Sequence, residues 1–483
     1  MLKTLRHYSA LTLLIILITN ISIHIINPPK NPISWDTFGY YLYLPSTFIY
    51  NDLGLQNKEV IDELIKKYNS SGTFYQATKT SNGNWIMKYT MGMAIFYAPA
   101  FFTAHLTAHL LDYPTDGLSV PYQFALVANG ILGLIFLRKV LLRFFTDKIV
   151  SILLLLIYFG TNYYTYTNYS GEMPHNYLFT VYAFILWQTI LWHENHKSKN
   201  MVALALAIGL ATLARPTELI AIVIPLFWGI SSRKQVIKRI ELLKSYKSQV
   251  FLFVLILLLI GSTQVVYWWI YSGSPIYYSY VNPGEGFEFL WPYTLNVLFS
   301  FRKGWLIYTP MMIFALWGFV SLYRENKGIF FPVLIFFIVN LYIISSWSCW
   351  WYAQSMGQRA LVQSYAVLSI PFGFFLTNLS RKSISVKLIF SVIMLLFVVL
   401  NLFQTWQLRK GILSADRMTM AYYFKSFGQT RSNEANKSLL LVKRDFTGEE
   451  KFNSEKGFKH TVLKVIDFEE INENQKGHYT DVQ

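Results

Sequence analysis

The sequence predicts an all-α polytopic membrane protein: about eleven transmembrane helices and a long first outer loop bearing interfacial helices. Three observations predict it. Of 483 residues, 53% are hydrophobic and only 14% are charged, whereas a soluble domain carries roughly 25% charged residues. Apolar runs of about 17–22 residues recur, long enough for a helix to cross a hydrocarbon core about 30 Å thick. Runs such as 251–260 (FLFVLILLLI) are apolar all round. A membrane β-barrel would alternate instead, so helices that satisfy their own backbone are expected.

The spans are expected at 8–26, 120–138, 148–166, 174–192, 201–214, 217–230, 250–270, 305–323, 328–345, 362–379 and 387–405. The fifth and sixth are short and meet at Arg215-Pro216. The first run follows Lys3 and Arg6 and ends at Asn27-Pro28-Pro29 with no small-residue cleavage site, so it reads as a retained span. The net charge of +16 sits mostly in short loops between apolar runs. That pattern orients a chain in a bilayer, and nucleic acid is not expected as a partner. The single cysteine, Cys349, excludes an intramolecular disulfide.

Charge bias fixes the expected orientation. With the N-terminus cytoplasmic and residues 89–111 not crossing, nineteen Lys and Arg fall on the cytoplasmic side, against Arg215, Arg302, Lys303 and Arg359 in the later outer loops. If 89–111 crossed, every later loop would break the positive-inside rule. The segment is therefore expected to lie in or dip into the outer leaflet. Within the outer loop, 57–68 (NKEVIDELIKKY) places Val60, Ile61, Leu64, Ile65 and Tyr68 on one helical stripe. The stripe suits either a helix on the membrane surface or one packed on protein. Residues 1–405 form the transmembrane domain, with 27–119 as its first outer loop; 406–483 form a small polar external tail. Segments 439–442 and 460–466 of that tail read as short strands.

Ionisable groups at a membrane are costly unless they face a cavity or one another. Asp36 lies in Ser34-Trp35-Asp36-Thr37-Phe38-Gly39-Tyr40-Tyr41, a carboxylate among rings. Rings stack on sugar faces and a carboxylate accepts a hydroxyl proton, while an interfacial aromatic belt is the plainer reading. Glu172 precedes Met173-Pro174-His175 at an outer turn, where a helix dipole alone would favour it. Glu172 and His175 are a weak pair for a divalent metal, and no cofactor is certain. Arg215-Pro216-Thr217-Glu218 joins two short helices, suiting phosphate binding or a structural Arg–Glu pair. Arg302-Lys303-Gly304-Trp305 and 347–359 (WSCWWYAQSMGQR) put cations outside, against the general trend. A polyanionic lipid headgroup would account for them, with Trp350, Trp351 and Tyr352 as a wall for a sugar-phosphate.

The order of these features resembles the GT-C superfamily of membrane glycosyltransferases, especially bacterial relatives of the protein O-mannosyltransferases and the lipid A aminoarabinose transferases. The features run from the early Asp36 and Lys88, through Glu172 and Arg215, to Lys303-Gly304-Trp305, Trp350-Trp351-Tyr352 and Gly357-Gln358-Arg359, over residues 1–405. The resemblance implies a polyprenyl-phosphate-linked sugar as donor, transfer with inversion on the non-cytoplasmic face, and an envelope glycan, lipid or protein acceptor. It implies Asp36 as the catalytic base and Glu172 as a second acidic residue. Lys88, Arg215, Lys303 and Arg359 become donor-phosphate contacts, and Trp35, Tyr40, His175, Trp350, Trp351 and Tyr352 line the sugar or acceptor. Asp36-Thr37 stands where many members have a paired acidic motif. The implied setting is the bacterial inner membrane, among membrane lipids. A lipid-linked sugar binder or flippase without a base, and an O-antigen ligase or polymerase, are the alternatives. A secondary transporter would show repeat symmetry and ionisable groups at the midplane, and neither is visible.

Overall fold

The computed structural model describes residues 7–125, 131–280 and 285–441. Described residues are mostly helical. Five helices are long and apolar enough to cross a membrane: His7–Ile26, Lys247–Ser272, Lys327–Ser345, Arg359–Ser380 and Ile384–Arg409. Asp147–Gly160 and Tyr163–Tyr169 make a sixth if taken together, bent by 70°. Among the described residues, Leu132–Leu141, Pro174–Asn195, Ser198–Ala214 and Ile313–Glu325 pack with them.

Several runs read as single spans are broken, each for a local reason. The 148–166 run bends at Thr161-Asn162, where Thr161 is extended. The 305–323 run divides into Trp305–Tyr308, a 3₁₀ turn Pro310–Met312 and the helix Ile313–Glu325. Proline removes an amide donor and disfavours helix at the residue before it, and Thr309 has φ −138°. The same logic separates Ser198–Ala214 from the 3₁₀ segment Pro216–Ile222 and leaves Arg215 extended between them.

Neighbouring helices are joined by small residues and by polar side chains facing one another, as expected where lipid supplies no hydrophobic drive between helices. Thr12 Oγ1 lies 2.7 Å from Ser151 Oγ, and Asn20 Nδ2 donates to Asn168 Oδ1 at 2.9 Å. At Gly318 the Ile313–Glu325 helix touches the Tyr365–Ser380 helix backbone to backbone. A Cβ there would sit 1.9 Å from the Pro371 carbonyl oxygen. Gly318→Ala is therefore expected to cost about 1–3 kcal/mol through overpacking, read as a lowered thermal midpoint of the purified protein.

The first loop folds onto the bundle. The 57–68 stripe forms the helix Lys58–Tyr68, with Ile61 and Leu64 buried and Val60, Ile65 and Tyr68 against the core, so it is turned toward protein. Residues 89–111 contain the helix Gly92–Leu110, with Pro99 inside and Phe102, Leu106 and Leu110 exposed. Between these helices runs an antiparallel hairpin, Ala77–Lys79 with Trp85–Met87, turned by Ser81-Asn82-Gly83 with Gly83 at φ 89°. In the described part of the tail, the helix Met420–Ser426 and the 3₁₀ turn Glu434–Leu439 pack near Tyr308 and Met356. Of the segments expected as strands, 439–442 is not one in its described part: Leu439 closes that turn, and beyond it Leu441 N–H donates to Arg417 O at 3.0 Å as an isolated bridge. Residues 460–466 lie outside the described residues.

Candidate active site

The hairpin sets the site. Tyr75 lies two residues before its first strand and Tyr89 two residues after its second, so antiparallel pairing brings both phenols to one side. Both donate to Asp36 Oδ1, at 2.6 Å from Tyr75 and 2.7 Å from Tyr89. Arg359 Nη2 donates to the other oxygen at 2.9 Å. Asp36 opens the short helix Asp36–Tyr41, and Trp35 before it has φ 51° and ψ −122°, a sparsely populated conformation for a residue with a Cβ. Hydrogen bonds on both sides hold it there: Trp35 N–H to Ser70 O at 2.7 Å, and Gln76 Nε2 to Trp35 O at 3.0 Å. The direction of the carboxylate is thus fixed by the fold itself. Burial alone would raise its pKa, but Arg359, the two tyrosine hydroxyls and Lys88 outweigh burial and hold it below the ordinary value.

Cations and rings extend from this centre. Tyr40 stacks on Tyr89 with centroids 4.1 Å apart. Lys88 is buried, pairs with Glu285 at 2.7 Å and stands 5.0 Å from the Tyr280 ring centroid. Arg215 lies with its guanidinium carbon 5.9 Å from the Tyr352 ring centroid and Nη1 3.3 Å from His175 Nδ1. Below it, Glu218 accepts from Tyr182 at 2.7 Å and from Gln363 at 3.1 Å, while Gln363 Oε1 lies 3.2 Å from His175 Nδ1. Positive φ at Tyr352, Ala353 and Gly357 curls the loop that presents Arg359.

Other expected site residues fall differently. Lys303 is buried and donates to the carbonyls of Ser355 and Ala415. Burial pushes its ammonium well below its ordinary pKa. Its neighbour Arg302 donates to Asp416 O at 2.9 Å and lies 3.9 Å over Trp351. Together they tie the Arg359 loop to the start of the tail. Lys303→Met takes the ammonium donor from the Ser355 carbonyl and leaves the Ala415 carbonyl with the Ser355 N–H at 2.9 Å, at about 1–3 kcal/mol. The expected result is a lower thermal midpoint, with donor affinity falling in step. Lost affinity at unchanged thermal stability would instead make Lys303 a direct donor contact.

Trp350 and Trp351 are buried and Trp35 is exposed. Glu172 is buried, and its turn touches the Asp36 helix through Thr37 Oγ1, which donates to Met173 Sδ at 3.5 Å. Burial raises the Glu172 carboxyl to about 8. Among the described residues no group of three or more His, Cys, Asp or Glu converges on a metal position. His175 Nδ1 faces the Arg215 guanidinium at 3.3 Å.

Tyr75, Tyr89, Tyr280 and Glu285 were not predicted as site residues. The first two had a signal: Asn82-Gly83 between two apolar-aromatic stretches marks a hairpin.

Fold and site together describe a helical multi-pass membrane protein with a buried, charge-alternating cluster where its first loop meets the bundle. Among solved structures, the chain is similar to the crystal structure of ArnT from Cupriavidus metallidurans in the apo state, with TM-score 0.44 and 14% sequence identity, covering 78% of this chain. The match spans 61% of that chain's length. No family model and no curated protein matches.

Proposed function

We propose that the chain is a membrane glycosyltransferase of the GT-C type, moving a sugar from a polyprenyl-phosphate donor to an acceptor hydroxyl on the non-cytoplasmic face. The observation that carries this reading is Asp36, aimed by Tyr75, Tyr89 and Arg359, with Lys88 5.0 Å from the Tyr280 ring and Arg215 5.9 Å from the Tyr352 ring. In the proposed step, Asp36 takes the acceptor hydroxyl's proton as its oxygen attacks the anomeric carbon. The bond from that carbon to the phosphate oxygen breaks, and the polyprenyl phosphate leaves with the electron pair. Attack opposite the leaving group inverts the centre. Arg359, Lys88 and Arg215 would stabilise the growing phosphate charge, and one preorganised contact of this kind is worth about 10²–10³ in rate.

A groove of about 270 Å³ supports a lipid donor. Ile95, Leu206, Leu213, Ile256 and Ile260 line it between the Gly92, Ser198 and Lys247 helices, and Leu213 stands two positions before Arg215 in the sequence. The topology that suits the reaction has the N-terminus and the ends carrying most Lys and Arg cytoplasmic, with the tail external in an inner membrane. The purified protein, supplied with polyprenyl-phosphate sugars and membrane acceptors, should consume donor and release polyprenyl phosphate. A deletion strain should accumulate one lipid-linked sugar. Donor binding without turnover under both conditions would move the assignment to a lipid-linked sugar binder or flippase.

A further inference from the structure

The helix Arg233–Ser245 (RKQVIKRIELLKS) has no fully buried residue, yet it is not uniformly polar. Helical spacing divides it into three faces. One faces protein. Gln235 Oε1 accepts from Ser231 N at 2.6 Å, and Arg239 donates to His193 Nε2 at 2.9 Å and to the carbonyl of Trp228. Leu242 packs on the core. A second face carries Lys234, Lys238 and Glu241, all exposed. The third carries Val236, Ile237 and Ile240, exposed by 40%, 52% and 49%, flanked by Arg233 and Lys244.

The level of this helix in the bundle identifies what covers the third face. His193, its partner, lies in the last turn of Pro174–Asn195. Gly229 just before it bonds Gly328, at the start of the Lys327–Ser345 span, at 2.9 Å. Only Tyr246, stacked on His196 with centroids 5.0 Å apart, separates it from the Lys247–Ser272 span. Helix ends thus meet at this level, where a bilayer passes from acyl chain to headgroup. The helix carries five basic residues and one acidic residue, so the covering surface is anionic.

We infer that Arg233–Ser245 is an interfacial helix that binds the anionic phospholipid headgroups of the chain's own bilayer, with Val236, Ile237 and Ile240 sunk to the acyl boundary. This does not depend on the sugar-transfer reading. It is tested on the full chain carrying Cys349→Ala, with single nitroxides at positions 234, 237, 238 and 240. The protein is placed in nanodiscs of phosphatidylcholine alone or with 30% phosphatidylglycerol.

Labels at 237 and 240 should show a several-fold higher ratio of oxygen to nickel-chelate collision than those at 234 and 238. The ratio should rise with phosphatidylglycerol. Joint replacement of Arg233 and Lys244 by Gln in each labelled protein should weaken the lipid dependence while leaving the apolar labels more protected than the polar ones. Equal nickel access at all four positions in phosphatidylglycerol discs overturns the inference. So does protection of 237 and 240 that persists in detergent and grows with protein concentration, because a second copy would then be the cover.

Discussion

Asp36→Asn is expected to lower turnover by about 10²-fold or more while donor binding persists, within the usual worth of a positioned general base. Asparagine keeps the shape and an oxygen for the Tyr75 and Tyr89 hydroxyls, which now donate at 2.6 and 2.7 Å. It removes the proton acceptor and the charge that Arg359 faces at 2.9 Å. The comparison needs a purified, monodisperse protein with donor binding measured beside turnover. Binding reports that the pocket is intact, and turnover reports the base. Near-wild-type turnover would end the assignment of Asp36 as base. The depressed pKa of Asp36 makes it a weak base in the free protein. A donor phosphate that engages Arg359 would draw the guanidinium from the carboxylate and raise its basicity as the acceptor arrives.

The second large effect is on stability. Glu172 has a carboxyl raised by burial from an ordinary 4.5 to about 8. Between those values the folded protein binds a proton that the unfolded chain has released. Stability associated with this group is therefore full below pH 4.5, falls as pH rises through the window, and levels above about pH 8. The slope is about 1.4 kcal/mol per pH unit across the middle of the window. Glu172→Gln is neutral throughout and should flatten this part of the curve, so the variant gains on wild type as pH rises from 5 to 8. Thermal midpoints of both proteins in one detergent, taken across that range, check it. Parallel curves would mean that Glu172 is solvated and ionised in the folded state.

Much of the framework was legible because membrane helices are written as long apolar runs: 8–26, 250–270, 328–345, 362–379 and 387–405 fall on the five long apolar helices. The breaks were less legible: a run such as 148–166 stays apolar through its bend, since hydropathy does not record backbone direction. Asp36 stood out through its rings, and Arg359 through being a cation on the uncommon side. Both cues are local. Glu285 had none, because its role on Lys88 is a contact across 197 residues. Lys303 shows the opposite failure. The side expected for that lysine follows from its place between spans, whereas the direction of its ammonium is set by Ser355 and Ala415, which no local pattern ties to it.

The bonds from Lys303 to Ala415 and from Arg302 to Asp416 also bear on when the protein becomes competent during synthesis. The ribosome makes Asp36 early and Arg359 more than three hundred residues later, yet the two share a hydrogen bond. Even then the Arg359 loop lacks its fastening until residues 415–416 have been translated and carried to their final side. Translation arrested before this point should yield an inserted chain whose Arg359 loop lacks both fastenings.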